Sequence, residues 1–385
     1  MVVGAYEHPQ RVLPDRSVPS VVADVVYGAL ADAGIGIDEV DGFCYAGMHQ
    51  GINVVSMADH LGLRDLSYVD STDVGGASPI TQVGHAAMAV AAGRCRVALV
   101  AMAGLPRSAP HAFRAAAPQA AFEDVYGLAQ PSGYALAARR HMHEFGTTSA
   151  QLAQIRVAAS QHAQFNPHAL YRTPVTVDEV LESPMISDPL HRLDCCVTTD
   201  GGGAVVVVSA DVARALGRRG VRVLGHGEFV RVPGGRPIDL TTTGAAVSGP
   251  RALAQAGITT DEIDYASIYD SFTITVLLSL EDLGFCEKGR GGAFVEDGAL
   301  LAPHGKLPVN TDGGGLCNNH PDRRGGMIRM IEAVRQLREE AAAEVQVADC
   351  EFALVQGQGH SLGTRSAAAT LILGREDTAV GRRAA

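Results

Sequence analysis

The segment ALADAGIGIDEVD at residues 29–41 recurs as ALAQAGITTDEID at residues 252–264, without a gap. Each copy begins with alanine and leucine, which favour helix, and continues to a glycine of the kind that ends helices. An acidic turn and an apolar position suited to a strand follow. The repeat predicts that two halves of the chain contain the same helix–turn–strand unit.

The segments around the two copies extend this pattern. Strand-like apolar runs alternate with helical segments, as at Val97–Met102 after the alanine-rich helix predicted over Thr81–Ala92. Such alternation is typical of mainly parallel sheets covered by helices on both faces. We therefore predict a duplicated α/β protein with halves at residues 1–220 and 221–385. Residues 103–200, in which Pro, Ala, His and Tyr are frequent, are predicted to be an excursion from the first sheet.

The composition limits the possible functions. The chain of 385 residues has a formal net charge of −11, which argues against nucleic acid or an anionic membrane as partner. No run of 18 apolar residues predicts a transmembrane helix, and the N-terminus lacks the features of a signal peptide. The seven cysteines have no zinc-site spacing. They are typical of a reducing compartment, so we expect a cytoplasmic protein without a metal site.

Four loops carry candidate chemical groups at equivalent positions of the repeat. The first, Asp70–Ser78, contains Gly75 and Gly76 and precedes a helix whose N-terminal N–H groups could stabilise negative charge. The second contains Tyr269, whose phenol could donate a proton or stabilise an oxyanion. A packing role for this tyrosine is the alternative.

The other two loops are rich in glycine and amides. The third, NTDGGGLCNNHP at residues 310–321, contains Asn318, Asn319 and His320 and leads into a helix predicted from Gly326. Its plain interpretation is a glycine-rich turn before a helix. The fourth, QGQGH at residues 356–360, contains Gly357 and follows a predicted strand. The repeat predicts that all four loops converge on one pocket.

Several common motifs are absent from the sequence. There is no Walker loop, no GxGxxG after an early strand, and no GxSxG. Cys195 and Cys196 lie in an extended segment where neighbouring side chains point to opposite faces, so we interpret them as packing residues. These absences do not favour a nucleotide-binding protein or an α/β-hydrolase.

Five segments resemble the thiolase superfamily, in particular sterol-carrier-type, lipid-transfer-like thiolases and their aldolase relatives. They are HRLDCCVTTDGGGAVVVVS (191–209), IYDSFT (268–273), LEDLGFCEKG (280–289), LPVNTDGGGLCNNHP (307–321) and EAVRQLR (332–338). The resemblance covers nearly the whole chain and implies a duplicated thiolase fold of five layers, α-β-α-β-α. That architecture agrees with the repeat.

The resemblance also implies roles for single positions. The histidine of the family's His-Pro motif, which binds the thioester oxygen, matches His320, and the family's second-half Asn or His matches Tyr269. The nucleophilic cysteine of thiolases matches Gly76, and the acid/base cysteine of their CxGxG motif matches Val355. Neither residue can hold an acyl group or move a proton. The resemblance therefore implies an aldolase rather than an ordinary thiolase.

Lipid-transfer-like aldolases cleave a β-hydroxyacyl-CoA by a retro-aldol reaction. By this resemblance Tyr269 is the general base or proton relay, and His320 with backbone N–H groups near Gly76 stabilises the enolate. Asn318 or Asn319 would orient the substrate. The implied substrate is a coenzyme A thioester without a further cofactor. A homodimer and a separate OB-fold, zinc-ribbon partner protein are expected. Steroid aldolases of this group have a second, later tyrosine, but none follows Tyr269 here.

Two other functions stay open from the sequence. The chain could be a thiolase or acyltransferase that uses an unexpected cysteine, for which Cys317, three residues before His320, is the candidate. It could also be a non-catalytic thiolase-like subunit that binds acyl-CoA or lipid for a partner.

Overall fold

A computed structural model describes residues 1–47, 51–109, 130–232, 238–321, 324–361 and 365–378. The described helices are α1 Val18–Ala33, α2 Val54–Leu61, α3 Ser78–Ala91, α4 Gln130–Phe145, α5 Ser149–Ala163, α6 Val177–Glu182, α7 Ala210–Leu216, α8 Ala245–Ala256, α9 Thr273–Leu283, α10 Gly291–Phe294 and α11 Gly325–Arg338. The described strands are β1 Val2–Glu7, β2 Gly42–Cys44, β3 Tyr68–Asp70, β4 Val97–Gly104, β5 Met185–Ser187, β6 Leu190–His191, β7 Gly201–Val208, β8 Arg222–Arg231, β9 Tyr265–Ile268, β10 Phe352–Ser361 and β11 Arg365–Gly374. Within these ranges, no helix has both the length and the apolar character needed to span a bilayer.

Two sheets have the same topology. The first has the order β1-β7-β4-β2-β3, in which β7 is antiparallel to both neighbours and β4, β2 and β3 are parallel. The second has the order β8-β11-β10-β9, in which β11 is antiparallel to both neighbours and β10 and β9 are parallel. A parallel bridge between Ala266 and Val309 occupies the place that β3 has in the first sheet. The predicted duplication is confirmed.

Three hydrophobic clusters hold together five layers of helices and sheets. The central cluster joins α3 and α11 to the inner faces of both sheets. A second cluster packs α1 and α2 on the outer face of the first sheet, and a third packs α8 and α9 on the outer face of the second. The α-β-α-β-α arrangement is therefore confirmed, and α3 and α11 are its innermost helices. Burial of most of its residues explains why the α3 sequence is apolar nearly all round.

The repeated segment has the same local structure in both halves. Gly34 and Gly257 end α1 and α8 with φ of 70° and 72°, a left-handed conformation that glycine adopts without strain. Short 3₁₀ turns follow at Ile37–Glu39 and Thr260–Glu262. Helix α1 begins at Val18, and Ser17 caps it.

Helices α4 and α5 of the excursion pack against the second sheet. Side chains of α4 and α5 join the cluster on the outer face of the second sheet, with Tyr134 stacked on Phe272 at a ring distance of 4.2 Å. These two helices thus cover the half of the molecule that follows them in sequence. The division of the chain at residue 220 stays a prediction.

Candidate active site

Tyr269 lies directly after β9, and its ring fills the space beside Gly76. The Tyr269 N–H donates to the Gln356 carbonyl at 3.1 Å, and the side chain is 6% exposed. A Cβ placed on Gly76 would lie 2.5 Å from Tyr269 Cζ, 2.6 Å from its Cε2 and 2.3 Å from the Gln358 carbonyl oxygen. Only glycine fits there. The position that corresponds to the thiolase nucleophile is therefore closed by the tyrosine ring.

His320 is the ring neighbour of Tyr269. The ring centroids are 5.3 Å apart and the planes are inclined by 66°. Gly325, the first residue of α11, lies beside both rings, since a Cβ on it would be 3.1 Å from Tyr269 Cε2 and from His320 Cδ2. The phenol, the imidazole and two close backbone segments thus come together at the N-terminal ends of α3 and α11.

The loop that carries His320 is fixed to the end of β9. Asn310, at φ 52°, accepts from the Ile268 N–H through Oδ1 and donates to the Ile268 carbonyl through Nδ2, both at 2.8 Å. The Asp270 carboxylate accepts from the N–H groups of Gly315 and Leu316 at 2.8 and 3.2 Å. Because Asp270 follows Tyr269 directly, the same loop presents the phenol and anchors the histidine segment.

A buried ion pair holds the middle of the His320 loop. Asp312 and Arg329 form two hydrogen bonds of 2.9 and 2.7 Å, and each side chain is 1% exposed. Burial opposes ionisation of Asp312, but the Arg329 guanidinium outweighs it and lowers the pKa of that carboxyl. One helical turn along α11, burial and the charge of Asp312 raise the pKa of Glu332 from its ordinary 4.5 to about 7.

Asn318 and Asn319 are fully buried and bind protein groups. Asn318 Oδ1 accepts from Arg11 Nη2 and its Nδ2 donates to Asp312, both at 2.7 Å. Asn319 Nδ2 donates to Glu7 Oε1 at 2.9 Å, and its Oδ1 accepts from Thr199. Both amides thus hold the loop in place, and the predicted contact with substrate stays a prediction.

Gly75 and Gly357 bring the first loop close to β10. Gly75 has φ 69° and opens a short 3₁₀ turn before α3. A Cβ on Gly357 would lie 2.9 Å from Ala77 Cα and 3.3 Å from the Gly76 carbonyl oxygen. The predicted fourth loop is corrected, since β10 continues to Ser361 and Gly357 lies within it.

Cys317 and Val355 are both buried among apolar side chains. Cys317 is 0% exposed and belongs to the outer cluster of the second sheet, and burial raises the pKa of its thiol to about 12. A thiolate is the nucleophilic form of cysteine, so this environment opposes reactivity. Val355 is buried in the central cluster. In the part of the chain that is described, no three His, Cys, Asp or Glu side chains are arranged to hold a metal ion.

The residues that support the loops were not predicted from the sequence. Asp270, Arg329 and Thr199 lie far apart in sequence. The predictions for their segments concerned neighbouring residues. The only signal for Thr199 and Asp270 was their place in segments that resemble the thiolase superfamily.

Comparison with known proteins identifies the family. A family model described as thiolase C-terminal domain-like matches residues 235–375. An acetyl-CoA acetyltransferase of Methanothermobacter thermautotrophicus is 33% identical over 94% of this chain and 97% of its own length. This chain belongs to the thiolase superfamily.

Two similar proteins lie on the aldolase side of the superfamily. A 17-hydroxy-3-oxo-4-pregnene-20-carboxyl-CoA lyase of Mycobacterium tuberculosis is 34% identical over 93% of this thiolase-like chain and 95% of its own length. The solved structure of an Ltp2-ChsH2(DUF35) aldolase is 30% identical, with a TM-score of 0.88 over 98% of both chains. The predicted place of this thiolase-superfamily member, close to coenzyme A ester aldolases, is confirmed.

Proposed function

We propose that this protein is a carbon–carbon lyase that cleaves a β-hydroxyacyl-CoA by a retro-aldol reaction. One observation carries the proposal: the Tyr269 ring occupies the space beside Gly76 in which a thiolase would hold its nucleophile. A covalent acyl-enzyme cannot form at a glycine whose neighbourhood is filled. A retro-aldol reaction needs no such intermediate.

The reaction requires a base and an oxyanion site. Removal of the β-hydroxyl proton lets the Cα–Cβ bond break, and its electron pair moves into the thioester to form an enolate. The β-carbon leaves as a ketone or aldehyde. Protonation of the enolate at Cα gives the shortened acyl-CoA. The protein must therefore accept a proton, stabilise a negative oxygen and return a proton.

The residues are assigned to these tasks by position. Tyr269 is either the general base, reacting as its phenolate, or a relay that releases its own phenol proton as it accepts the β-hydroxyl proton. His320, whose ring lies 5.3 Å away, stabilises the enolate oxygen together with backbone N–H groups near Gly76. The N-terminal end of α3 supports this, because helix N-termini stabilise negative charge. Asn318 and Asn319 keep His320 in place, and Gly75 and Gly357 keep the backbone near Gly76 in contact with β10.

Acyl transfer is the second candidate function, because one relative that matches nearly the whole chain is named an acetyl-CoA acetyltransferase. It would need a nucleophile other than residue 76. Cys317 is buried and its thiol pKa is raised to about 12, so this candidate has less support.

The same relatives support a proposal for the substrate and for a partner protein. The substrate is a coenzyme A thioester, and no further cofactor is needed. The Ltp2 aldolase was solved with a DUF35 protein, ChsH2, and we propose a similar OB-fold, zinc-ribbon partner here.

A homodimer is also proposed. It would cover the face where His85 of α3 binds Asp70 of β3 and lies 3.4 Å from Glu228 of β8. Near these residues, Val69, Met88 and Val230 are 44%, 50% and 54% exposed. A monomer in light scattering at micromolar concentration would exclude the dimer.

The test is incubation of the purified protein, alone and with any co-purifying partner, with a panel of β-hydroxyacyl-CoAs. Mass spectrometry should detect a shortened acyl-CoA and an equimolar ketone or aldehyde. Tyr269→Phe should lower kcat by about 10²- to 10⁴-fold, the usual contribution of proton transfer. A stable acyl adduct on the intact protein, or full activity of Tyr269→Phe, would count against the proposal.

A further inference from the structure

We propose that Thr199 is a positioning residue that fixes His320, through a buried chain of hydrogen bonds that begins at Glu7 of β1. The inference rests on the proposed function of His320 and extends it to a residue in the first half of the sequence. Thr199 acts through the backbone of His320.

Thr199 belongs to an extended segment, Cys195–Asp200, that joins the two loops of the site. The Cys196 N–H donates to the Ser271 carbonyl and the Val197 N–H donates to the Gly315 carbonyl, both at 2.9 Å. The segment thus binds the loop after Tyr269 and then the loop before His320. Its last residue, Asp200, donates its N–H to the Arg11 carbonyl at 2.9 Å.

The Thr199 hydroxyl makes two bonds within this connection. Its Oγ1 accepts from the His320 N–H at 2.8 Å and donates to Asn319 Oδ1 at 2.7 Å. The Asn319 amide in turn donates to Glu7 Oε1 at 2.9 Å. Thr199 and Asn319 are each 0% exposed, so water cannot replace a lost partner.

The first group in this chain of hydrogen bonds, the Glu7 carboxylate, is itself held in place. The Glu7 carboxylate accepts from Arg11 at 2.7 Å and from Arg335 of α11 at 3.1 Å. Burial opposes its ionisation, but the two guanidinium groups lower the pKa of Glu7. An ionised, doubly paired carboxylate is a rigid anchor. The position of the His320 backbone therefore depends on β1, on the Cys195–Asp200 segment and on α11 together.

Removal of the Thr199 hydroxyl tests whether Thr199 acts through its hydrogen bonds or through packing. Thr199→Val keeps the shape and removes both bonds, whereas Thr199→Ser keeps the bonding oxygen. Thr198→Val is the matched control, because Thr198 is the neighbouring residue and is exposed. We expect Thr199→Val to lower kcat about 10- to 100-fold with a smaller change in KM, since small displacements of a reacting group have effects of this size. Thr199→Ser and Thr198→Val should stay within about threefold of the wild type.

A double-mutant cycle identifies the route of the effect. In a His320→Gln background, Thr199→Val should change the residual kcat by less than about threefold, because the group that it positions is gone. An equal loss in both backgrounds, or a Thr199→Ser variant as impaired as Thr199→Val, would overturn the proposal.

A second readout does not depend on the reaction. In protein labelled with ¹³C at histidine Cε1, with the His320 signal assigned from His320→Gln, Thr199→Val should shift that signal and Thr198→Val should not. An unmoved His320 signal overturns the positioning role even if turnover is found. A moved signal in a protein that turns over no β-hydroxyacyl-CoA would retain the positioning role and reject the proposed function.

Discussion

The two loops that lead into the innermost helices occupy equivalent places and are built differently. The loop at Asp70–Ala77 is short, and its Asp70 binds Thr72 and His85 near the surface. The loop at 310–321 is almost wholly buried and is held by Asp270, Arg329 and Asn310. The first contributes backbone to the site. The second contributes His320 and the means of fixing it.

The difference indicates where the chemistry of this protein lies. Both proposed catalytic side chains, Tyr269 and His320, come from the second half, and the first half contributes Gly76 and the supporting Thr199. The two innermost helices also differ in the side chains that they bury. Ala86 and Val83 of α3 pack in the central cluster, whereas α11 also buries Arg329 and Glu332. Duplication has kept the fold, and the two copies have different tasks.

The largest expected effect concerns the anchor of the second loop. Asp312→Ala leaves Arg329 buried without its partner and should lower the free energy of unfolding by about 3–5 kcal/mol. Asp70→Ala, the change in the less buried loop, should have a smaller effect. Asp211→Ala removes an exposed pair with Arg214 and should stay below about 1 kcal/mol. Urea unfolding measures all three, and equal losses for Asp312 and Asp70 would remove the contrast between the loops.

The second prediction concerns the backbone of the first loop. Gly76→Ala forces the Tyr269 ring or the Gln358 carbonyl to move, so kcat should fall by about 10²-fold, as for an ångström-scale misplacement. Gly133→Ala is the control, because a Cβ there meets no atom within 4 Å. Steady-state kinetics on a substrate from the panel measure both. An active Gly76→Ala enzyme would mean that this loop does not set the position of Tyr269.

The third prediction uses the buried acid of α11. A folded pKa of about 7 for Glu332, raised from 4.5, means that the folded protein holds this proton more tightly than the unfolded chain does. The stabilisation is complete below about pH 4.5 and is lost as pH rises to about 7. Glu332→Gln has no such proton, so its stability relative to the wild type should rise with pH by about 1–3 kcal/mol and then level off.

Thermal or urea unfolding between pH 4.5 and 8 measures this difference. Glu340→Gln, on an exposed residue just beyond α11, is the control and should leave the pH dependence unchanged. A parallel pair of curves for Glu332→Gln and the wild type would contradict the raised pKa.

The smallest effect is expected at Cys317. Because its thiol is buried in the outer cluster rather than at the rings, Cys317→Ala should change kcat by less than about threefold and cost about 1–2 kcal/mol of stability. Alkylation of the native protein with iodoacetamide should leave Cys317 unmodified in peptide mass spectrometry. Loss of turnover in Cys317→Ala with a folded protein would favour acyl transfer.

The sequence predicted the elements better than their ends. The mainly apolar segment between Phe272 and Gly284 predicts a helix over Thr273–Leu283, and α9 has those bounds. The end of β10 was not predicted, since strand length depends on partners that are distant in sequence. Pairing with β11 extends β10 to Ser361, which no local pattern in QGQGH indicates.

By itself the sequence determined the duplication, the α/β class and the absence of sulfur at residues 76 and 355, because these are carried by repeated segments and residue identity. Only the tertiary structure decided that the Tyr269 ring fills the space beside Gly76. It also decided that Asn318 and Asn319 hydrogen-bond to protein groups and that the Thr199 hydroxyl binds the His320 N–H. The physical reason is that these facts are contacts between residues up to 312 positions apart. A linear pattern indicates which groups exist, whereas packing decides which of them remain available to a substrate.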